Sequence, residues 1–383
     1  MPAEGVHRPA WAEISLSALS HNLDVLRRVA PGIALCGVVK ANGYGHGEVL
    51  VARALVDAGV DHLAVAIVDE GLELRQAGIE TPILLLAEIP ADTLVPALDA
   101  RLSVTVGSLD GARALVEVAR SRVERAVCHL KVDTGMLRQG VAPDEALEAA
   151  RLLTACPQVD LEGLFTHFSV ADGDSEDHRS FTRQQRERFR VVRDELSRAG
   201  IRPRVVHDSN SAGLLGHPGE NVTMVRPGLA LYGYLPAPWL GESLESAGLS
   251  LRPVMSLRAR VVARRRALAG ERPSYGRWRA LERDATLVTV PYGYADGYPR
   301  RLFGAGADVL IRGRRYPLAG MVTMDQLIVN CGDDHVELGD EVVLLGRQGE
   351  QSVDAEDWAR WAETVSWEIL CGISARVPRV LVP

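Results

Sequence analysis

The chain has 383 residues, 47% hydrophobic and 24% charged, which suits a soluble globular protein large enough for two domains. Its 43 basic and 50 acidic residues give a formal charge of −7, which argues against a general nucleic-acid binder. Five scattered cysteines form no C-x-x-C pair, the N-terminus shows no basic start followed by an apolar stretch, and no apolar run reaches the roughly 18 residues of a membrane span. A cytoplasmic protein with no disulfide framework, no metal centre and no membrane partner is expected.

From about residue 15 to residue 235, short apolar runs alternate with helical patterns. The expected strands are Ile33–Ala41, His62–Val68, Ile83–Ala87, Leu102–Val106, Ala126–Asp133, Leu161–Ser169, Arg204–Asn210 and Thr223–Leu231. Each is rich in Val, Leu and Ile, as strands covered on both faces are. Gly47–Ala58, Asp69–Ala77, Asp110–Ala119 and Asp177–Ala199 carry helical spacing, and Gly59, Gly78 and Gly200 follow alanines where a left-handed closing residue is needed. Eight strands alternating with helices predict an α/β fold, a (β/α)₈ TIM-type barrel over 1–240. No G-x-G-x-x-G follows a strand, which disfavours an open dinucleotide-binding sheet.

From about Gly241 the texture changes. Val254–Val262, Thr286–Pro291, Asp308–Ile311, Leu327–Asn330 and Glu341–Leu345 read as short strands, with one late helix near Asp354–Glu368. A C-terminal mainly-β domain over 241–383 follows, and the extreme N-terminus is a candidate to pack with it. The run Arg264–Arg266 reads as a solvated strand end sooner than as an anion site.

Side chains alternate along a strand, so Lys40 shares a parity with Val38, facing the barrel axis, while Val39 and Ala41 face the helices. A lysine there either serves an active site at the C-terminal mouth or snorkels to solvent, and parity alone does not separate the two. The other strands weigh on the question. His129, Lys131 and Asp133 share one face, as do Phe165, His167 and Ser169, and likewise His207 and Ser209; the eighth strand ends in Arg226-Pro227-Gly228. Polar groups from several strands converging on one mouth call for a ligand. Asn210-Ser211 and Pro227-Gly228 follow strands seven and eight, where barrels commonly hold phosphate, although Asn210 also reads as an ordinary helix cap.

The motifs, in order, resemble those of the alanine racemases, fold-type III pyridoxal-phosphate enzymes. They are Val38-Val39-Lys40-Ala41-Asn42-Gly43-Tyr44-Gly45-His46-Gly47, His129-Leu130-Lys131-Val132-Asp133-Thr134-Gly135-Met136, Thr166-His167-Phe168, Asn210-Ser211-Ala212 and Val225-Arg226-Pro227-Gly228. The β-domain adds Ser274-Tyr275-Gly276, Gly293-Tyr294-Ala295-Asp296-Gly297, Met324-Asp325-Gln326 and Arg376-Val377-Pro378-Arg379.

The resemblance implies that Lys40 holds the aldehyde of pyridoxal 5′-phosphate and that Lys40 and Tyr275 are the two catalytic bases, Tyr275 reaching the site of the partner in a homodimer. Tyr44, Asn210, Ser211, Gly228 and Leu229 would hold the phosphate end. Arg226 would face the ring nitrogen, with His167 behind it. Arg138 would contact the phenolic oxygen and, with the backbone of Met324, the substrate carboxylate. Lys131 would be carbamylated, since an unmodified lysine would repel Arg138 unless Asp133 paired with it. Asp172, Tyr294, Arg300, Met321 and Val365 would line the substrate corridor. Two positions depart from the family pattern: Met321 replaces a usual arginine, and Trp367 replaces a tyrosine that usually donates to the phosphate. The implied activity interconverts L- and D-alanine, supplying D-alanine for peptidoglycan; a racemase of serine or of broader specificity is the alternative.

Overall fold

The computed structural model describes residues 7–217 and 222–383, which form two compact units. One comprises Ala18–Gly43 and Glu48–Arg252; the other comprises the described residues up to Ser17, Tyr44–Gly47 and Pro253–Pro383. Residues 241–252, expected with the β-domain, therefore belong to the barrel unit. Residues 1–6, at the extreme N-terminus, lie outside the described residues.

The barrel unit contains eight parallel strands: Ala34–Val38, His62–Val65, Ile83–Glu88, Leu102–Val106, Ala126–Lys131, Val159–Phe165, Val205–His207 and Met224–Val225. The first pairs with both the second and the last, through Cys36↔His62 and Ala34↔Met224. Between the seventh and eighth, the Thr223 amide donates to the Val206 carbonyl at 2.8 Å and the Arg226 amide to that of Ser209 at 2.9 Å, so the ring is nearly closed. The strands are covered on both faces, and Leu63, Ala64 and Val65 have no exposed surface. Two of the amphipathic intervening helices begin at serine caps: Ser108 accepts from the Gly111 amide before Leu109–Ala119, and Ser175 from that of His178 before Glu176–Arg198. Gly59, Gly78 and Gly200 all take the left-handed conformation anticipated for helix ends (φ 79°, 82° and 80°).

Several strands stop short of their expected ends. The first finishes at Val38, so Lys40 lies beyond it, and Ala41, Asn42 and Gly43 form a left-handed turn (φ 54–59°). Ala41 is consequently exposed rather than packed on the helices, and Val38 and Val39 are both buried. Strand six ends at Phe165, strand seven at His207 and strand eight at Val225, which leaves His167, Ser209 and Arg226 on the loops that follow. Val, Leu and Ile content tracks burial, and at these loop bases Ser209 and Arg226 are as buried as the strands while His167 is half-buried. Composition therefore overruns the hydrogen-bonded limits.

In the other unit, a seven-stranded sheet runs in the order Arg314–Pro317, Asp308–Ile311, Glu341–Gln348, Met255–Arg260, Ala10–Ser15, Arg379–Val382, with Gln351–Val353 paired to Glu341–Gln348. Ala10–Ser15 lies antiparallel to Met255–Arg260 and parallel to Arg379–Val382, so the described N-terminal segment completes this sheet. A three-stranded sheet is formed by Ala263–Ala267, Ala285–Val290 and Leu327–Asn330. Arg264–Arg266 sit along an exposed strand rather than at its end, Arg264 donating to the Val336 carbonyl and Arg266 pairing with Asp333. The single late helix is two, Ala355–Ala362 and Ser366–Cys371, separated because Glu363 closes the first in the left-handed conformation (φ 53°).

Candidate active site

At the C-terminal mouth of the barrel, Lys40 stands between the end of the first strand and the left-handed turn. Glu70 fixes that turn: its carboxylate accepts the Ala41 amide at 2.6 Å and, through the other oxygen, the Ala66 amide at 2.8 Å. The Asn42 side chain accepts the Glu48 amide at 3.1 Å and ties the far end of the turn to the next helix. The backbone that follows Lys40 is therefore held at both ends of its turn.

Lys131 ends the fifth strand and is 4% exposed, with its ammonium 3.5 Å from the Leu86 carbonyl and 5.5 Å from the centre of the Phe165 ring. Burial, then the charges of Arg138 and Arg226, lowers its amine to about 8. Asp133 does not pair with it closely; its Oδ1 accepts the Gly135 and Leu137 amides and shapes the loop carrying Arg138. These two are the only lysines in the chain.

Arg226 is 3% exposed and lies over the Phe165 ring at 5.3 Å. It donates to His207 Nδ1 at 2.8 Å, to the Thr166 carbonyl at 3.0 Å and to His167 Nδ1 at 3.3 Å. Burial lowers its guanidinium to about 10. His167 is pushed well below the usual imidazole range, first by burial and then by Arg226, Arg138, Lys131 and Lys40. Four cations thus act on one neutral imidazole, and this concentration of positive charge fits an anionic cofactor and substrate. Parity had put His207 on the inward face without assigning it a role; in the structure it is the principal partner of Arg226.

Asn210 caps the helix Ser211–Gly216, accepting the Gly213 amide at 2.9 Å, as the plainer reading of it required. The Ser211 hydroxyl accepts the amides of Gly228 (2.9 Å) and Ala230 (3.3 Å), and so joins the loops after strands seven and eight. Leu229 opens a short 3₁₀ turn, Leu229–Tyr232. These loops bring a hydroxyl and backbone amides to the barrel end where a phosphate would be held. Asp172 is exposed, and its carbonyl accepts the Trp239 indole N–H at 2.7 Å.

In the other unit, Tyr44 is buried, with its phenol raised by burial. Tyr275 is 74% exposed on a loop where Ser274, Gly276 and Arg277 all have positive φ. That loop is anchored by the Ser274 hydroxyl, which donates to the Met321 carbonyl at 2.6 Å. Gly293 runs so close to Thr323 and Met324 that a Cβ on it would lie 2.4 Å from both carbonyl oxygens, and the Tyr294 and Ala295 amides donate to those same oxygens at 3.0 Å. Met324, Tyr294, Arg300 and Val365 are exposed; Met321 and Trp367 are half-buried.

Residues 14–236 match the model of the alanine racemase N-terminal domain, and residues 254–381 that of the C-terminal domain. An alanine racemase of Symbiobacterium thermophilum is 44% identical over 373 residues, 97% of each chain, and one of Desulforamulus reducens is 40% identical, covering 98% of this chain and 99% of the relative. Among solved structures, alanine racemase of Clostridium difficile 630 superposes with a TM-score of 0.91 at 38% identity, covering 98% of this chain and 96% of that one. Alanine racemase of Bacillus anthracis with bound L-Ala-P gives 0.91 at 34% identity, with 98% and 96% covered. Matches spanning both units, together with a cationic barrel mouth bearing its lysine, show that the chain belongs to the alanine racemase family.

Proposed function

We propose that the protein interconverts L-alanine and D-alanine with pyridoxal 5′-phosphate held on Lys40, and that Tyr275 serves the site of a partner subunit in a homodimer. One observation carries this reading: the chain's only two lysines both stand at the barrel mouth, with Arg138 and Arg226, around a neutral His167. When bound, the cofactor supplies an electron sink for the α-carbon, so that its proton can leave.

The residues of the chain do the rest. Ser211, Gly228, Leu229 and Asn210 would hold the phosphate end, and the family resemblance adds Tyr44 and Trp367 to them. Arg226 would face the ring nitrogen as a donor and, having no lone pair, could not take a proton from it. Arg138 and the Met324 backbone orient the substrate carboxylate, and Asp172, Tyr294, Arg300, Met321 and Val365 line its approach. The Lys40 amine moves a proton on one face of the substrate, and the Tyr275 phenol on the other. The exposure of Tyr275 on a strained loop suits a residue offered to a second subunit.

Lys131 belongs in this reading as a carbamate. An amine lowered to about 8 is substantially neutral at mildly alkaline pH, and the neutral amine is what adds to carbon dioxide; the product is an anion able to pair with Arg138. Stripping carbon dioxide and bicarbonate should lower kcat roughly ten- to hundredfold, the worth of a hydrogen bond to a charged group, and adding bicarbonate should restore it. Indifference to bicarbonate, with an unmodified Lys131 peptide in the fully active protein, would remove the carbamate.

Among the described residues no helix is long and apolar enough to cross a membrane, and the five free cysteines support a cytoplasmic setting, where D-alanine for peptidoglycan is needed. The names of the relatives favour alanine over serine. The test is to incubate the holoprotein with L-alanine or L-serine in heavy water. Deuterium at the α-carbon with D-alanine accumulating is expected, and serine should turn over more slowly. No exchange from either alanine enantiomer would end the reading, and preferred turnover of serine would replace the substrate.

A further inference from the structure

A line of hydrogen bonds runs through the barrel interior away from Arg226. The guanidinium donates to His207 Nδ1 at 2.8 Å; His207 Nε2 meets His129 Nδ1 at 2.8 Å; His129 Nε2 meets Glu162 Oε2 at 3.1 Å. At the far end Arg204 holds the other oxygen of Glu162 at 2.8 Å. His207, His129 and Arg226 are 0%, 1% and 3% exposed.

Proton counting gives the line one direction. A guanidinium only donates, so His207 Nδ1 is bare and its Nε2 carries the proton. That proton points at His129 Nδ1, which is therefore also bare, and His129 Nε2–H points at a carboxylate, which only accepts. An obligate donor at one end and an obligate acceptor at the other leave a single tautomer for each ring. A proton added to either ring would have to displace one of these bonds. Burial, with the charge of Arg226, keeps both imidazoles below their usual range, in agreement with neutral rings.

Local features make room for the line. Cys128 pairs with Leu161 but His129 pairs with Gly163, so Glu162 is the extra residue of a β-bulge, a device that re-aims a side chain. Gly163 leaves the space the imidazole needs, since a Cβ on it would lie 2.2 Å from His129 Nδ1, the atom that accepts from His207. The Phe165 ring stacks on His207 with centres 4.6 Å apart and planes at 6°.

We propose that Glu162 and His129 are positioning residues for the racemisation: by accepting at the far end of the line they fix the tautomer of His207, and so keep a bare nitrogen facing Arg226. This rests on the reading that Arg226 meets the cofactor's ring nitrogen. Without an acceptor at position 162, the His129 ring is free to move its proton to Nδ1. His207 then has to invert, and an N–H faces the guanidinium. Two donors in contact push Arg226 out of place.

The first test needs no substitution. In the ¹⁵N-histidine-labelled holoprotein, nitrogen resonances should report His129 and His207 as neutral rings protonated at Nε2. A proton on Nδ1 of either ring, or a doubly protonated ring, overturns the proposal. In Glu162→Leu, the two rings should show mixed tautomers and kcat should fall roughly tenfold, the effect usual for outer partners that hold a histidine tautomer, with KM and borohydride capture of cofactor on Lys40 kept. Glu162→Gln retains an acceptor oxygen and should recover most of kcat and the single tautomers; a glutamine as damaging as leucine overturns the acceptor role. Failure of the underlying reading looks different: an Arg226→Ala holoprotein with unchanged absorption and turnover would remove Arg226 from the ring nitrogen, whatever the histidine resonances show.

Discussion

Lys40→Ala should abolish racemisation, with a fall of at least about 10⁴-fold, the upper end of what a positioned acid–base group contributes. The two roles proposed for Lys40 would end together, the covalent hold on the cofactor and the proton transfer on one face. Borohydride treatment of the native protein should fix the cofactor on a single peptide, and that peptide should contain Lys40. The chain makes this test unusually clean, because Lys131 is the only other lysine and its side chain is buried with its ammonium against Leu86 and Phe165. A cofactor trapped on Lys131, or a Lys40→Ala protein retaining even a hundredth of the native rate, would mean that the residues have been misassigned. The loss should not be one of folding: Lys40 is only half-buried, and the turn after it is held through backbone amides by Glu70 and by the side chain of Asn42.

Tyr275→Phe separates the two faces. Racemisation should drop by about 10²–10⁴-fold while cofactor capture on Lys40 is unchanged. In heavy water the variant should still exchange the α-proton of one enantiomer, the one whose proton faces Lys40, without converting it to the other. Mixing then tests the shared site. Suppose each site takes Lys40 from one subunit and Tyr275 from the other. A heterodimer of Lys40→Ala and Tyr275→Phe chains has one site with both defects and one with neither. Random reassortment of two inactive proteins should then restore about a quarter of the native activity, half the dimers carrying one intact site of two. If both residues acted within one chain, every site in the mixture would stay defective and no activity would return.

Much of this architecture can be read without coordinates. Apolar runs alternating with amphipathic segments announce the barrel, because strands covered on both faces must be apolar throughout and each helix must bury one stripe. The lysine-bearing motif and the polar residues on strands five to eight locate the mouth. Strand limits are less legible. His167, Ser209 and Arg226 lie past the ends of their strands but are packed as tightly as strand residues or nearly so, and apolar composition follows packing rather than backbone pairing. Ala10–Ser15 was not expected as a strand, since its partners, Met255–Arg260 and Arg379–Val382, lie more than 200 residues away along the chain.

The sequence by itself determined the fold class, through the periodicity of its apolar runs, and the family, through the ordered motifs that resemble those of the alanine racemases. Tertiary structure alone decided which groups act on each other. The left-handed turn after Lys40 breaks the alternation from which its orientation had been inferred. The bulge at Glu162 turns a charged side chain toward His129, where strict alternation assigns it no such contact. His207 and not only His167 supports Arg226, since that depends on where a guanidinium, a neighbouring strand and a stacked Phe165 meet in space. Periodicity describes an undistorted strand, and at these places the backbone departs from one.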